Sequence, residues 1–412
     1  MLTQCSLLES GWHQVEKYCE EVHEKFGKLG ADLSFAHQAA IDADDHAHSA
    51  AVDPDTMARA AKMGQLFYWL REAAGGSPDL DSCSTGLANA LRQIKWNSRA
   101  PREVPTDDAL ASALIGACGT GVQLLSRQQN AYSSTFVSEI LDARWPGGTV
   151  RRLLAKYEFN RFEDVGGHRG GPAYESRVYS SVLPSVDLTR PAFHGALDRG
   201  SEGGTWLFLE FLEAAKRPDD LSSPVEALRG AARWIAHFHE SAPRADFLQR
   251  YDASYYGKWA ARTSQFARPW LDRFGWLEPL LERAPDLLEQ LTGAATTVIH
   301  GEFTPHNLLV RDGAIFPVDW ESAAIGAGEI DLAALSDGWP SEIVAACERE
   351  YVAARWPLGA PNDFGRRLAL ARLYWALRWI GNSSEAFPAM FRAHHRIQAL
   401  EPIARSLGVT TG

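Results

Sequence analysis

The sequence of 412 residues predicts an α+β fold in which a small antiparallel β lobe precedes a larger helical lobe. Segments with strand-like patterns cluster between residues 134 and 212, whereas the patterns beyond residue 223 are mostly helical. One short β-rich segment, residues 297–320, interrupts these helices. Strands and helices are therefore segregated along the chain, which is typical of α+β rather than of parallel α/β architectures.

The first hundred residues have the pattern of a separate helical region. Apolar residues recur at spacings of three and four between Leu8 and Phe26, which puts them on one face of a helix. Asp53 and Pro54 fit the start of a second helix, as a capping residue followed by proline at the first helical position. We therefore predict a helical N-terminal extension over residues 1–104.

The next segment contains the predicted β lobe. Thr106, followed by two aspartates, can cap a helix that runs through Ile115. The elements predicted after it are two strands joined by a Pro-Gly-Gly turn, a helix and a third strand, at residues 134–144, 149–159, 174–183 and 206–212. We assign residues 105–212 to this lobe and residues 213–412 to the helical lobe.

The composition argues against several classes of protein. The net charge of −11 disfavours a nucleic-acid-binding surface and favours a neutral or cationic substrate, although the same charge also serves solubility alone. The sequence has neither the roughly 18 consecutive apolar residues of a membrane span nor the pattern of a signal peptide. Its five cysteines, without a CxxC pair, fit a reducing compartment. We expect a cytoplasmic protein without nucleic-acid or membrane partners, and the sequence indicates no oligomeric state.

One segment of the helical lobe combines three oxygen-bearing side chains. Glu302 follows a predicted strand, and Asn307 precedes the next one. A tight turn at Asp312 returns the chain to Asp319, so that Asn307 and Asp319 meet at one end of a two-stranded ribbon. These two side chains offer hard oxygen ligands to Mg²⁺, and Glu302 is left free to accept a proton from an attacking hydroxyl. Phosphoryl transfer needs little more than positioning, metal charge and such a base.

This segment resembles the signature of the aminoglycoside phosphotransferase and choline kinase family, which runs His-Gly-Asp, four residues, Asn, and then a later metal-binding Asp. The residues that fall on the pattern are His300, Gly301, Pro305, Asn307, Asp319, Trp320, Gly326 and Asp331. The resemblance covers about residues 105–400 and implies a bilobal protein-kinase-like fold, with ATP and Mg²⁺ as cofactors. It implies Asn307 and Asp319 as Mg²⁺ ligands, and His300 and Asp331 as structural supports of the catalytic loop.

The catalytic position departs from the family pattern, because Glu302 stands where the family has aspartate. The additional methylene would move the carboxylate by about 1.5 Å, and displacements near 1 Å can change rates greatly. Since the predicted metal ligands are present, we expect an active enzyme with Glu302 as the base. A non-enzymatic pseudokinase scaffold is the alternative that this substitution leaves open.

The same resemblance implies a lysine and a glutamate that act on the nucleotide phosphates. Lys156 lies on the predicted strand whose lysine reaches the α- and β-phosphates. Glu175 begins the helix whose glutamate pairs with that lysine and fixes its direction. Without the downstream motif, a strand lysine is usually a solvated residue.

Two further segments are implied as nucleotide contacts. The loop of residues 128–135 would cover the phosphates with backbone N–H groups and the hydroxyl of Ser133 or Ser134. Backbone groups from Glu210 to Leu212 would contact adenine. Either segment also fits an ordinary loop or core strand.

Three other segments are assigned no chemistry. The glycine-rich residues 166–171 lack the order of a phosphate-binding loop, and we interpret them as a connection between strand and helix. The Asp- and His-rich residues 42–48 are interpreted as a solvated loop. His237 and His239 lie on a predicted helix and are interpreted as core residues.

The predicted reaction is transfer of the γ-phosphoryl group of ATP to a hydroxyl of a small molecule, such as an aminoglycoside-like compound, an amino alcohol or another natural product. The extension over residues 1–104 lies outside the resemblance and leaves a second hypothesis open. Kinases similar to this family phosphorylate Ser/Thr of precursor peptides in lanthipeptide and thioamitide pathways, and the extension could recognise a leader peptide. The acceptor is not specified, because the variable helical lobe lines its pocket.

Overall fold

The structure is a computed structural model, and it describes the greater part of the chain beyond residue 103. The described residues are 104–130, 136–158, 169–200, 203–293, 295–381 and 396–409. They all belong to one compact unit, formed by residues 103–383 and 394–412. The predictions for residues 1–103, and those for Ser133 and Ser134, lie outside the described residues. The domain bounds at residues 104 and 212 stay predictions.

The β lobe contains a five-stranded antiparallel sheet with two helices. Its elements in chain order are α1 (Asp107–Cys118), β1 (Gln123–Gln129), β2 (Val137–Arg144), β3 (Val150–Tyr157), α2 (Gly171–Ser181), β4 (Phe193–Asp198) and β5 (Thr205–Glu210). The strand order is β1-β2-β3-β5-β4. Because β5 lies between β3 and β4, the strand that was predicted as the end of this lobe is an interior strand of the sheet.

Local sequence explains the start of this lobe. The Thr106 side chain accepts a hydrogen bond from the Ala109 N–H and caps α1, as predicted. Gly147 and Gly148 adopt positive φ in the turn between β2 and β3, a conformation that glycine takes without strain. One face of the sheet packs on α1 through a core that includes Leu110, Leu114, Leu141, Leu153, Ala155, Tyr157 and Phe208. Side chains alternate along a strand, so Lys156 points to the other face.

The helical lobe follows β5. Its elements are α3 (Val225–Ser241), β6 (Gln249–Arg250), α4 (Ala253–Ala267), α5 (Leu277–Glu289), β7 (Thr296–Ile299), β8 (Leu308–Arg311), β9 (Ala314–Pro317), β10 (Ala324–Ala327), α6 (Glu329–Ser336), α7 (Ser341–Arg355), α8 (Phe364–Gly381) and α9 (Leu400–Ser406). Strands β8 and β9 form the predicted ribbon, and β10 pairs with β6 and β7 in a second small sheet.

The predicted α+β class is confirmed, while several element bounds are corrected. The helix predicted from residue 174 begins at Gly171, and the strand predicted to end at residue 212 ends at Glu210. Strands β1, β4, β6 and β10 were not predicted. In the part of the chain that the structure describes, none of the helices has the length and apolarity to span a membrane.

Candidate active site

The segment that follows β7 is held by one buried carboxylate. Asp331, in the first turn of α6, is fully buried and accepts hydrogen bonds from the backbone N–H groups of His300, at 2.7 Å, and Gly301, at 2.9 Å. Gly301 has φ +81°, and a Cβ atom at this residue would lie 2.2 Å from the Ser322 carbonyl oxygen. Only glycine therefore fits here, and Asp331 satisfies donors that the turn would otherwise leave unpaired.

His300 connects this segment to the ribbon. Its Nδ1 accepts from the Glu302 N–H at 3.3 Å, so its Nε2 carries the proton and donates to the Val318 carbonyl at 3.0 Å. The Asn307 side chain forms a second connection between this segment and the ribbon, because its Nδ2 donates a hydrogen bond to the Glu302 carbonyl at 3.0 Å. The backbone around Glu302 is therefore fixed to both strands of the ribbon.

The structure brings Asn307 and Asp319 to the same end of the ribbon. Leu308 pairs with Pro317, and the Val318 N–H donates to the Asn307 carbonyl at 2.9 Å. Asp319, the next residue, has φ 68° and ψ 57°, a left-handed conformation that costs free energy in a residue other than glycine. This conformation directs the chain away from the ribbon and into the short helix that begins at Trp320.

Lys156 joins the sheet of the β lobe to this end of the ribbon. Its Nζ lies 2.8 Å from Glu175 Oε2 and 2.6 Å from Asp319 Oδ1. Burial acts to lower the pKa of Lys156, but the carboxylates of Asp319, Glu175 and Glu321 raise it well above its ordinary value. The lysine is therefore a fixed cation. Glu175 is itself fixed, since its Oε1 accepts from the Trp320 N–H at 3.2 Å.

Glu321 is a further carboxylate of the site, which the sequence interpretation missed. It is almost fully buried, and its Oε2 lies 3.7 Å from Lys156 Nζ. Burial raises the pKa of Glu321 to about 8, against the opposing effect of Lys156, and the neighbouring Asp319 and Glu175 add to the increase. Its position two residues after Asp319 is the only feature of the sequence that could have identified it.

The expectation that Glu302 is left free is wrong. Its Oε1 accepts hydrogen bonds from Arg378 Nη2 and from Arg169, whose Nη2 and Nε lie at 3.1 and 3.4 Å. Arg378 also donates to the Gly301 carbonyl at 3.1 Å. The physical reason is burial: Glu302 is only 8% exposed, and a buried carboxylate needs cationic or hydrogen-bonding partners.

His239 is a positioning residue that the sequence interpretation assigned to the core. It is buried, with Nε2 3.0 Å from Asp331 Oδ2 and Nδ1 2.9 Å from the Tyr351 hydroxyl, which accepts from Arg355. Burial lowers the pKa of His239 to about 4, so the ring is neutral and its Nε2–H donates to Asp331. His237, which was interpreted in the same way, is exposed. No spacing in the sequence links residue 239 to residue 331.

Two of the three backbone N–H groups predicted to contact adenine, those of Glu210 and Phe211, already donate hydrogen bonds within the protein. The Glu210 N–H donates to the Ala192 carbonyl at 2.8 Å, and the Phe211 N–H donates to the Arg152 carbonyl at 3.1 Å. The Glu210 carboxylate binds the Ala192 N–H and Arg311. Within the described residues, the Leu212 N–H has no hydrogen-bond acceptor. Leu212 therefore offers a donor that the sheet does not use.

The two predicted metal ligands fit a hard cation. Among the described residues, no group of three His, Cys, Asp or Glu side chains could hold a metal ion. Asn307 donates through Nδ2, which leaves its Oδ1 as a possible ligand atom, and Asp319 is 30% exposed beside it. A pair of oxygen donors suits Mg²⁺, which usually keeps several waters and binds substrate phosphates in addition to one or two side chains.

Comparisons with known proteins agree with this geometry. Residues 183–365 match the model of the phosphotransferase enzyme family, a little under half of the chain. No curated protein matches the chain. A solved structure of spectinomycin phosphotransferase in complex with ADP and spectinomycin is 11% identical, covers 76% of this chain and 100% of its own, and has a TM-score of 0.50.

Two further solved structures are similar at lower scores. A macrolide 2′-phosphotransferase from Brachybacterium faecium is 18% identical, with 72% of this chain and 98% of that chain covered and a TM-score of 0.44. A choline/ethanolamine kinase family protein from Mesorhizobium loti is 14% identical, with 69% and 92% covered and a TM-score of 0.47. The predicted resemblance and protein-kinase-like fold are confirmed, as is the enzyme class, a phosphotransferase.

Proposed function

Because residues 183–365 match the phosphotransferase enzyme family, we propose that the chain transfers the γ-phosphoryl group of ATP to a hydroxyl group of a small molecule. One observation carries the proposal. The Lys156 ammonium, on the sheet of the β lobe, lies 2.6 Å from the Asp319 carboxylate, at the end of the ribbon in the helical lobe. The cation proposed to bind phosphate and the carboxylate proposed to bind the metal are thus in contact, although 163 residues separate them in the sequence.

In this proposal, Lys156 binds the α- and β-phosphates, and Glu175 keeps the ammonium in place. Asn307 and Asp319 hold Mg²⁺, whose charge offsets the negative charge of the phosphates. The raised pKa of Lys156 supports this role, because the side chain remains a charged ammonium at neutral pH. Asp331, His300 and His239 act at a distance from the substrate by fixing the backbone around Glu302.

Glu302 receives the proton of the acceptor hydroxyl. Arg378, on α8, is 4% exposed and binds the Glu302 carboxylate. This contact orients the glutamate side chain, which is one methylene longer than the aspartate of the family. An acceptor hydroxyl that approaches Glu302 must either bind the carboxylate together with Arg169 or displace the Arg169 side chain. The base is therefore preorganised by the protein, which is a common way to limit the cost of positioning during the reaction.

The adenine would lie at the end of β5. The Leu212 N–H is the proposed donor for this contact, because it has no hydrogen-bond acceptor within the described residues, and the Glu210 carbonyl is the proposed acceptor. Ser133 and Ser134 would act on the phosphates from the loop between β1 and β2. The proposed acceptors are amino sugars, amino alcohols and other natural products with a free hydroxyl.

The test compares two aspartate variants of the same ribbon. Asp319→Asn removes the charge beside Lys156, whereas Asp312→Asn changes an exposed aspartate in the turn at the opposite end, where asparagine accepts the left-handed conformation. ADP formation from Mg²⁺-ATP would be measured with amino sugars, amino alcohols, nucleosides and Ser-containing peptides. We expect Asp319→Asn to lower kcat by about 10²–10³-fold, as for other lost charge-stabilising groups, and Asp312→Asn to match the wild type.

Two outcomes would count against this function. Equal turnover in the wild type and in Asp319→Asn would indicate a background reaction and favour a pseudokinase scaffold. Turnover that appears only with peptides would replace the small molecule by a peptide acceptor.

A further inference from the structure

Arg169 occupies a position that none of the roles above uses. Its Nη2 lies 3.1 Å from Glu302 Oε1, and its Nε lies 3.7 Å from Glu321 Oε1. Glu321 is in turn 3.7 Å from Lys156 Nζ. The guanidinium therefore lies between the carboxylate assigned to the acceptor and the charged groups assigned to the phosphates.

The backbone that carries Arg169 is fixed to the site. The Gly170 N–H donates to the Glu321 carbonyl at 2.8 Å. A Cβ atom at Gly170 would lie 2.3 Å from Tyr174 Cβ, and Gly171 has φ +65°. These two glycines let the chain turn directly into α2, so that the start of this helix presents the guanidinium. The part of the glycine-rich segment that the structure describes is therefore more than a connection.

Arg378 and Arg169, which both contact Glu302, differ in their exposure to solvent. Arg378 is 4% exposed and also bonds to the Gly301 carbonyl, whereas Arg169 is 25% exposed. The contacts of Arg169 with Glu302, at 3.1 and 3.4 Å, are longer than the roughly 2.7–2.9 Å of strong charge-assisted hydrogen bonds. Arg169 can therefore exchange Glu302 for a ligand, while Arg378 still compensates the buried carboxylate.

We infer that Arg169 contacts the phosphoryl group during its transfer and stabilises the charge on its oxygens, an inference that rests on the proposed function. The acceptor oxygen forms its bond to the γ-phosphorus while the bond from that phosphorus to the bridging oxygen of ADP breaks. The acceptor proton goes to Glu302, and Arg169 stays protonated throughout. A planar guanidinium with several N–H donors matches phosphate oxygens, and arginines in this role contribute about 10³–10⁵-fold to kcat.

The experiment replaces Arg169 in the full chain and uses an arginine of the helix that follows it, α2, as control. Arg169→Ala and Arg169→Lys are compared with Arg177→Ala, whose guanidinium lies 4.1 Å from the centre of the Phe247 ring on an exposed face. ADP formation is measured with water as the phosphoryl acceptor, so that no acceptor need be known. We expect kcat to fall by about 10³-fold in Arg169→Ala with unchanged affinity for ADP, and to stay at the wild-type value in Arg177→Ala.

Two readouts separate contact with the phosphoryl group from a structural role. Added guanidinium should restore part of kcat in Arg169→Ala, whereas methylammonium at the same concentration should not. ADP with aluminium fluoride, which mimics the transferred group, should bind the wild type more tightly than ADP alone, and Arg169→Ala should lose this gain. Should Arg169→Ala fail to fold, Arg169→Lys, which keeps the charge but not the planar donors, provides the comparison.

Each contrary outcome has a distinct meaning. An unchanged kcat in Arg169→Ala overturns the inference, and an increased kcat would show that the contact with Glu302 is inhibitory. Equal losses of kcat and of ADP affinity, without guanidinium rescue, would assign Arg169 a structural role only. Failure of the proposed function looks different, since ADP formation by the wild type would then be no faster than by Asp319→Asn.

Discussion

At the scale of single residues, the site depends on a relay, a series of hydrogen bonds that runs from the part-buried Arg355 to the buried Asp331. Arg355 donates to the Tyr351 hydroxyl, which donates to His239 Nδ1, and His239 donates to Asp331. Asp331 in turn accepts from the backbone before Glu302. Each donor in this chain is satisfied by the next group, which is the condition under which buried polar groups stabilise a fold.

This relay predicts a pH dependence of stability. The pKa of His239 falls from 6.5 to about 4 because burial disfavours the charged ring, in spite of Asp331 and with a further contribution from Arg355. Between pH 6.5 and about 4 the unfolded chain binds more protons at this residue than the native chain. The contribution of neutral His239 is therefore fully present above pH 6.5 and is lost as pH falls towards 4, by up to about 3 kcal/mol.

The measurement is urea unfolding of the wild type and of His239→Gln at pH 7.5 and pH 5. Glutamine can keep a donor towards Asp331 but does not titrate. We expect the free energy of unfolding to fall more steeply on acidification in the wild type than in the variant, by about 2 kcal/mol over this interval. Parallel changes in both proteins would contradict a neutral His239 in the native state.

The residues of the site differ in how far the sequence alone could identify them. Asn307 and Asp319 were predicted to meet because a tight turn joins two short strands, so their proximity depends on local structure only. Arg169 and Arg378 lie 133 and 76 residues from Glu302 along the chain, and their contacts with it require the complete packing of α2 and α8. Such contacts have no signature in a single sequence, which is why Glu302 was expected to be free.

At the scale of elements, the strands that were missed are those without a regular apolar pattern. β1 is mostly exposed along an edge of the sheet and consists largely of polar residues. β4 contains a bulge at Gly195, where a Cβ atom would lie 2.1 Å from the Ala117 carbonyl oxygen, so glycine is required inside the strand. The strands that were found, such as β5 with five consecutive buried residues, have the pattern that apolar burial predicts.

Helix α8 contributes to the site through Arg378. This side chain is nearly buried, and its bonds to Glu302 and to the Gly301 carbonyl connect the helix to the segment after β7. We expect Arg378→Met to lower the free energy of unfolding by about 3–5 kcal/mol, because it removes a buried arginine that compensates the charge of a buried carboxylate. Chemical denaturation of the variant checks this value.

A double-mutant cycle identifies the cause of that loss. Glu302→Gln removes the charge that Arg378 compensates, so Arg378→Met should cost less in the Glu302→Gln background than in the wild type, by at least about 1 kcal/mol. Arg372, on the same helix, pairs with the part-exposed Glu348, and Arg372→Met serves as the control with an expected cost below about 1 kcal/mol. Additive effects of the substitutions at residues 302 and 378 would mean that Arg378 stabilises α8 independently of Glu302.

At the scale of the whole molecule, the proposed nucleotide site lies between the sheet of the β lobe and the ribbon of the helical lobe. Lys156 comes from β3, whereas Asp319 follows β9, so that binding of Mg²⁺-ATP engages both parts at once. A ligand that binds only the native chain stabilises it by about 2.7 kcal/mol at a concentration of 100 times its Kd. The sequence predicted this arrangement only through the family resemblance, because no local pattern relates residue 156 to residue 319.

Thermal unfolding of the full chain therefore tests whether the two parts bind one ligand together. A non-hydrolysable ATP analogue with Mg²⁺, at about 100 times its Kd, should raise the Tm of the wild type by about 3–4 °C. Asp319→Asn should lose most of the part of this shift that depends on Mg²⁺, because a neutral amide replaces one proposed ligand. Arg169→Ala should keep the shift, since its role is confined to the transfer step. An increase in Tm that is equal with Mg²⁺ and with EDTA, or equal in Asp319→Asn and the wild type, would place the nucleotide away from the ribbon and remove the basis for assigning Asp319 to the metal.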